Sequence, residues 1–217
     1  MKKPLLIIIT IATILIAGCK KSNNNPAPAS SDSYLPVTSG TTWTYLDDVN
    51  GSSETNTTKM TGSTATFNGK TYYGMSQVSP SRGTKTGYFY TANHSYALRA
   101  SSTTINGLTI EIQLGNDQQA AGYIWTTTPT DNGVIQGIPA RTVNTIKEKG
   151  ISKKVSGNNY TNVIHTQVSL QYDLGAGYEE YALYDIYLAK GVGMIELDTA
   201  IPGGYVEKQT LTSYTIK

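Results

Sequence analysis

The sequence predicts an all-β protein: a single domain built on a twisted antiparallel sheet, closed either as a half-barrel or as a β-sandwich. Three observations carry that expectation. Leu108-Thr109-Ile110-Glu111-Ile112-Gln113-Leu114 alternates apolar and polar side chains without a break, as a strand with one buried face does. Thr, Tyr, Val and Ile dominate the periodic segments, and these residues suit a pleated, half-buried surface. Turn-forming pairs such as Asn50-Gly51, Asn68-Gly69 and Asn106-Gly107 separate the segments.

Ahead of that domain stand a signal peptide and a tether. Met1-Lys2-Lys3 is a short positive start, and Leu5 to Ala17 is an apolar run interrupted only by Thr10 and Thr13. A bilayer-spanning helix needs about 20 apolar residues, and this run stops short at Gly18-Cys19 with Lys20 and Lys21 behind it. Residues 1–18 therefore read as an export signal. Residues 19–33 read as a flexible tether, because the stretch from Lys20 to Ser33 is rich in Asn, Ser and Pro and holds no aliphatic residue larger than Ala. An apolar pattern begins at Tyr34-Leu35-Pro36-Val37, and the β-rich domain is expected over 34–217.

Within the domain the strands are expected at Thr42 to Leu46, Thr71 to Val78, Thr86 to Thr91, Tyr96 to Ser102 and Leu108 to Leu114. The second half supplies Arg141 to Lys149, Tyr160 to Leu170, Tyr178 to Ala189, Val192 to Asp198 and Val206 to Ile216. On the 108–114 strand Leu108, Ile110, Ile112 and Leu114 should face the core, with Thr109, Glu111 and Gln113 in water. On the 160–170 strand Tyr160, Ile164, Val168 and Leu170 should share a face and leave His165 on the wetter one. Tyr178, Tyr181, Tyr184 and Tyr187 recur every third residue, which would also suit a helix. The strand reading puts Tyr178, Tyr184, Ile186 and Leu188 on one face.

Leu15-Ile16-Ala17-Gly18-Cys19 resembles the lipobox of bacterial lipoproteins, and that resemblance implies cleavage before Cys19 and acylation of its thiol. Cys19 is the sole cysteine, so an internal disulfide is excluded. Two or more acyl chains give stable attachment to a membrane. Lys20 directly after the cysteine resembles the enteric pattern for outer-membrane sorting, which implies a lipid anchor in the outer membrane, and Lys20-Lys21-Ser22-Asn23 does not resemble the acidic run that some lineages use for surface display, so the domain is expected on the periplasmic side. Three further patches resemble β-rich envelope lipoproteins of uncharacterised function: Tyr34-Leu35-Pro36 followed by Gly40, Trp43 and Tyr45; Tyr160-Thr161-Asn162-Val163-Ile164; and Tyr187-Leu188-Ala189-Lys190-Gly191-Val192-Gly193-Met194-Ile195. The stretch from Thr86 to Pro139 carries none of them. More loosely, such proteins look like the half-barrels of periplasmic lipoprotein carriers, which implies an apolar ligand on a concave face; no ligand residue carries over. Trp43 and Tyr45 should anchor the core, and Gly191 and Gly193 should permit a tight connection between strands.

The whole chain holds 17 Lys and Arg against 15 Asp and Glu, and loss of Lys2 and Lys3 leaves the mature form formally neutral. Nucleic acid is thereby excluded as a partner on electrostatic grounds. No enzymatic activity is expected and no cofactor or metal is implied. His94 reads as a turn residue, and His165 has no partner nucleophile in the sequence pattern. Asp47-Asp48-Val49-Asn50-Gly51 fails the calcium-loop pattern and reads as a hairpin turn. Adjacent Glu179 and Glu180 point to opposite strand faces and cannot flank one glycosidic bond. Gly191-Val192-Gly193 lacks the third glycine of a dinucleotide fingerprint. The acceptor-like triplets at Asn56, Asn93 and Asn159 read as loop chemistry. Asp198-Thr199-Ala200 resembles an O-glycosylation sequon, exposed if it borders the Pro202-Gly203-Gly204 turn. The expected role is a non-enzymatic binding module for an apolar or lipid-like ligand. A scaffold for envelope proteins and a glycan-binding module, suggested by 16 tyrosines, are the alternatives.

Overall fold

The structure, a computed structural model, describes residues 32–101 and 107–217. The signal peptide, Cys19, the tether as far as Ser31, and the residues Ser102 and Asn106 lie outside the described residues. The first half runs β1 (Thr42–Val49), β2 (Ser52–Phe67), β3 (Lys70–Ser79), β4 (Gly83–Ala92), β5 (Ser95–Ser101) and β6 (Thr109–Asn116). After short β7 (Ile124–Thr127) and β8 (Val134–Ile135) come β9 (Ile138–Val155), β10 (Asn158–Asp173), β11 (Tyr178–Ala189), β12 (Gly193–Ile201) and β13 (Tyr205–Thr215).

All neighbours pair antiparallel in the order β6-β5-β4-β3-β2-β1-β13-β12-β11-β10-β9-β7, with β8 on β9. Two meanders, β1 to β6 and β9 to β13, are joined where β1 meets β13. The result is one curled sheet, a half-barrel, and not a sandwich of two sheets. The segment after β7 reaches back to the far edge, where the Glu111 amide donates to the Pro129 carbonyl at 2.8 Å. No helix forms among the described residues, and the tyrosine-rich 178–189 segment is strand β11.

The inward face is filled by the protein's own side chains. Trp43, Phe89, Leu114, Ile146, Ile164, Ile186 and Leu211 form one cluster, each no more than 6% exposed. Tyr34 and Leu35, ahead of the first strand, are buried in it, held where the Gly191 amide donates to the Ser33 carbonyl at 2.8 Å. A smaller cluster of Ile135, Ala140, Leu170 and Ala182 takes up Leu108 and Ile110. Burial of this apolar area is the main drive for the sheet to curl.

Bulges decide which residues face that core. Asn162 adopts φ 52°, and the β9–β10 register shifts around it so that Val163 and Ile164 are both fully buried. Another shift between Leu170 and Gln171 skips Tyr181, so Tyr178 falls out of phase with Tyr184 and Ile186 and is 39% exposed. The expected shared face for Tyr178 is thus overturned by the bulge. Strand β2 was not expected, since its inward positions carry Asn56 and Thr58 beside Met60, leaving no apolar alternation to read.

Candidate functional site

Cross-strand register sorts the side chains of β3 to β6 onto two faces. Tyr73, Phe89, Leu98 and Ile112 stand in one row across the sheet and belong to the core. The neighbouring row, Tyr88, Arg99 and Glu111, must then lie on the opposite face. That face was expected to be wet, yet Arg99 is 6% exposed and the Glu111 side chain 13%. Two segments cover it: the β2–β3 hairpin, turned by Asn68 and Gly69 at φ 49° and 74°, and the loop that follows β7.

Between them lies a cleft of about 270 Å³ lined by Lys70, Tyr72, Arg99, Glu111, Gln113 and Asp131, together with Asn68 and three threonines, Thr127, Thr128 and Thr130. Asp131 accepts both terminal nitrogens of Arg99, at 2.9 and 2.7 Å, in a fork that fixes the guanidinium plane. Asn68 Nδ2 adds a bond to the same carboxylate at 2.8 Å. Glu111 accepts from the Tyr72 hydroxyl at 2.5 Å and from Gln113 at 3.2 Å, while Lys70 Nζ stands 3.9 Å away. Aromatic rings support these groups. Arg99 stacks 4.6 Å above Phe67, whose ring meets Tyr72 and Tyr88 edge-on at 5.4 and 5.2 Å.

The electrostatics balance. Two cations and two carboxylates leave the cleft neutral, the hydrogen bonds from Arg99 hold the Asp131 carboxyl below its usual range, and the same pair holds the Arg99 guanidinium up. Burial, then the bond to Glu111, pushes the Tyr72 phenol well up, so it stays protonated and donates. Nε of Arg99 is buried with no acceptor among the described residues. Such a surface offers fixed donors and acceptors side by side on an aromatic floor, which suits hydroxyl-rich ligands.

A second charged cluster sits farther along β1, on the same inward face as Trp43 and Tyr45. Asp47 is fully buried and receives Arg82 Nη2 at 2.5 Å and Asn56 Nδ2 at 2.9 Å. Glu54 and Glu207 flank the same guanidinium at 3.4 and 3.6 Å. Burial, then the charge of Glu207, pushes the Asp47 carboxyl up to about 6 against the pull of Arg82. The expected turn at Asp47 to Gly51 is present, with Asp48 accepting from the Gly51 amide at 2.9 Å; the burial of Asp47 was not expected.

His165 faces outward as expected but is tied: Nε2 lies 2.7 Å from Asp185, Nδ1 lies 3.2 Å from Glu148, and the ring stacks on Tyr187 at 4.3 Å. His94 occupies the β4–β5 turn at φ 63° and pairs with Asp117 at 2.6 Å. Glu179 and Glu180 are exposed neighbours on β11. No group of three or more His, Cys, Asp or Glu able to hold a metal occurs among the described residues. Thr199 lies inside β12 and is 5% exposed, so the expected exposure of Asp198-Thr199-Ala200 is overturned at the threonine itself, while Ala200 is exposed and Asp198 pairs with Lys208. Asn56 and Asn159 likewise lie in strands and not in loops, and only Asn93 occupies a turn.

Sequence reasoning did not find the Arg99 cleft. The signal that could have shown it is an arginine in mid-strand within Tyr96-Ala97-Leu98-Arg99-Ala100, which places a charge where a half-buried strand has no need of one.

No protein-family model matches this chain, and no curated protein matches it. Among solved structures, the crystal structure of a protein from Parabacteroides distasonis, provisionally described as a lipoprotein, is similar with a TM-score of 0.50 and 12% identity, covering 86% of this chain and 100% of that one. An exported protein of Bacteroides fragilis, also provisionally described, with a YmcC-like fold, gives a TM-score of 0.45 and 6% identity over the same shares. The first likeness is one of fold, and it agrees with the class that the three sequence patches resemble, β-rich envelope lipoproteins of uncharacterised function.

Proposed function

We propose that this chain is a lipid-anchored envelope lipoprotein whose domain is a non-enzymatic binding module for a polar, hydroxyl-rich ligand of glycan type. One observation carries this reading: the Arg99–Glu111 cleft sets charged donors and acceptors beside Tyr72 in about 270 Å³, a volume suited to one or two sugar rings. The lipobox at Cys19 supports the anchor, Lys20 supports the outer membrane, and Lys20-Lys21-Ser22-Asn23, unlike a surface-display signal, supports the periplasmic side. The apolar-carrier reading rests on an open concave face, and here that face is packed with Trp43, Leu114, Ile164 and their neighbours.

A saccharide panel read by saturation-transfer NMR on the mature lipoprotein in nanodiscs tests the proposal. Sugars should bind, and Glu111→Gln should lower their affinity tenfold or more. A panel with no binder, together with an apolar mass retained in native mass spectrometry, would return the carrier reading.

A further inference from the structure

We propose that the ligand of this cleft carries a carboxylate, and that Asp131 is the chain's own stand-in for it, displaced from Arg99 when the ligand binds. This rests on the glycan reading above and adds the acidic class, a uronate-type sugar, to it.

Three observations converge on Arg99. The first is geometric. Asp131 takes the guanidinium end-on, through Nη1 and Nη2, and leaves Nε buried without an acceptor among the described residues. A buried donor without a partner is costly, and guanidinium N–H groups are strong donors. A carboxylate approaching side-on would bond Nε and Nη2 together, and Nη1, already 3.8 Å from Glu111, would keep that partner.

The second is the mounting of the two partners. Arg99 is buried mid-strand and clamped on Phe67, whereas the Asp131 side chain is 52% exposed on the loop between β7 and β8. The rigid member is the cation and the movable member is the anion. The loop is fixed to the sheet edge at the Pro129 carbonyl by the Glu111 amide, so Asp131 can swing out while its root stays in place.

The third is the space on either side. Arg99 borders the cleft and also an open groove of about 610 Å³ that runs past Leu108 and Asn132 beneath the same loop. Asp131 lines both, so withdrawing it would join them across the guanidinium. A chain of sugars with an acidic residue at Arg99 would then have room beyond the first ring.

The test compares D-glucuronate with D-glucuronamide, which differ only in the charged group, on the mature lipoprotein in nanodiscs. Glucuronate should bind at least tenfold more tightly, and it alone should shift the Arg99 Nε–Hε resonance in a ¹⁵N spectrum, assigned by its loss in Arg99→Lys. Asp131→Asn should raise glucuronate affinity several-fold; if that variant unfolds, the Nε–Hε shift in the unmodified protein still decides. Equal affinity for the two sugars, or an unmoved Nε–Hε signal with glucuronate bound, overturns the acidic-ligand proposal and leaves the glycan reading standing. Binding of neither sugar, nor of any other saccharide, overturns both.

Discussion

The indole N–H of Trp43 donates to the carbonyl oxygen of Val192 at 2.6 Å, joining residues 149 positions apart. Two residues along β1, the Tyr45 hydroxyl repeats the contact on the Met194 carbonyl at 2.9 Å. The ring of Trp43 lies where a side chain on Gly193 would stand: a Cβ there would be 2.9 Å from Nε1, and Gly193 holds φ 110°. The opening and closing patches of the sequence therefore form one joint in space. Gly193→Ala should cost about 3 kcal/mol, from positive φ and from the clash together. Trp43→Phe, which leaves a buried carbonyl without its donor, should cost about 1–3 kcal/mol. Urea unfolding of the single and double variants measures both, and additive losses would show that the two residues do not share a joint.

Arg99→Met should destabilise the domain by roughly 3 kcal/mol, because it leaves the largely buried Glu111 with Lys70, 3.9 Å away, as its remaining cation. Adding Glu111→Leu should restore much of that loss by removing the orphaned charge. Thermal unfolding of the pair is the check. A double variant weaker than Arg99→Met alone would mean that Glu111 is held chiefly by Tyr72 and Gln113.

Asp47 should make part of the stability depend on pH with an acid-favouring sign. Its folded value is pushed up to about 6 from an ordinary 3.8, so between those limits the folded state holds a proton that the unfolded state does not. Stability from this group therefore rises as pH falls from 7 toward 4, the reverse of a carboxylate held low by a salt bridge. Relative to Asp47→Asn, the unmodified protein should gain on the order of 1–2 kcal/mol over that range. A difference that stays flat with pH would show that Arg82 outweighs burial at this site.

Cys19→Ser should abolish incorporation of radioactive fatty acid and leave an uncleaved precursor or a soluble form. Protease shaving of intact cells should leave the domain uncut if it faces the periplasm. Intact-mass analysis should find Thr199 unmodified, since a transferase cannot reach a residue buried within β12. A glycan at Thr199 would require that strand to be modified before folding.

Local pattern was enough to read the class of fold and most of the strands. Alternation over 108–114 placed Ile112 and Leu114 inward, and Asn-Gly pairs placed the hairpins, because side-chain period and turn chemistry are properties of a few consecutive residues. Three things were decided only in three dimensions. Pairing of β1 with β13 joins the two meanders through residues at opposite ends of the domain, and no local signal encodes it. Bulges at Asn162 and near Tyr181 shift the phase of strands whose spacing looks regular, since an extra residue is visible only against its partner strand. The cleft arises because a hairpin tip and the loop after β7 cover one charged row of the sheet. Glu111 reads as an outward residue on its own strand, and it becomes a buried partner of Tyr72 and Arg99 only when β3 and β5, 39 and 12 residues away, set those side chains on the same face and the loop after β7 covers them.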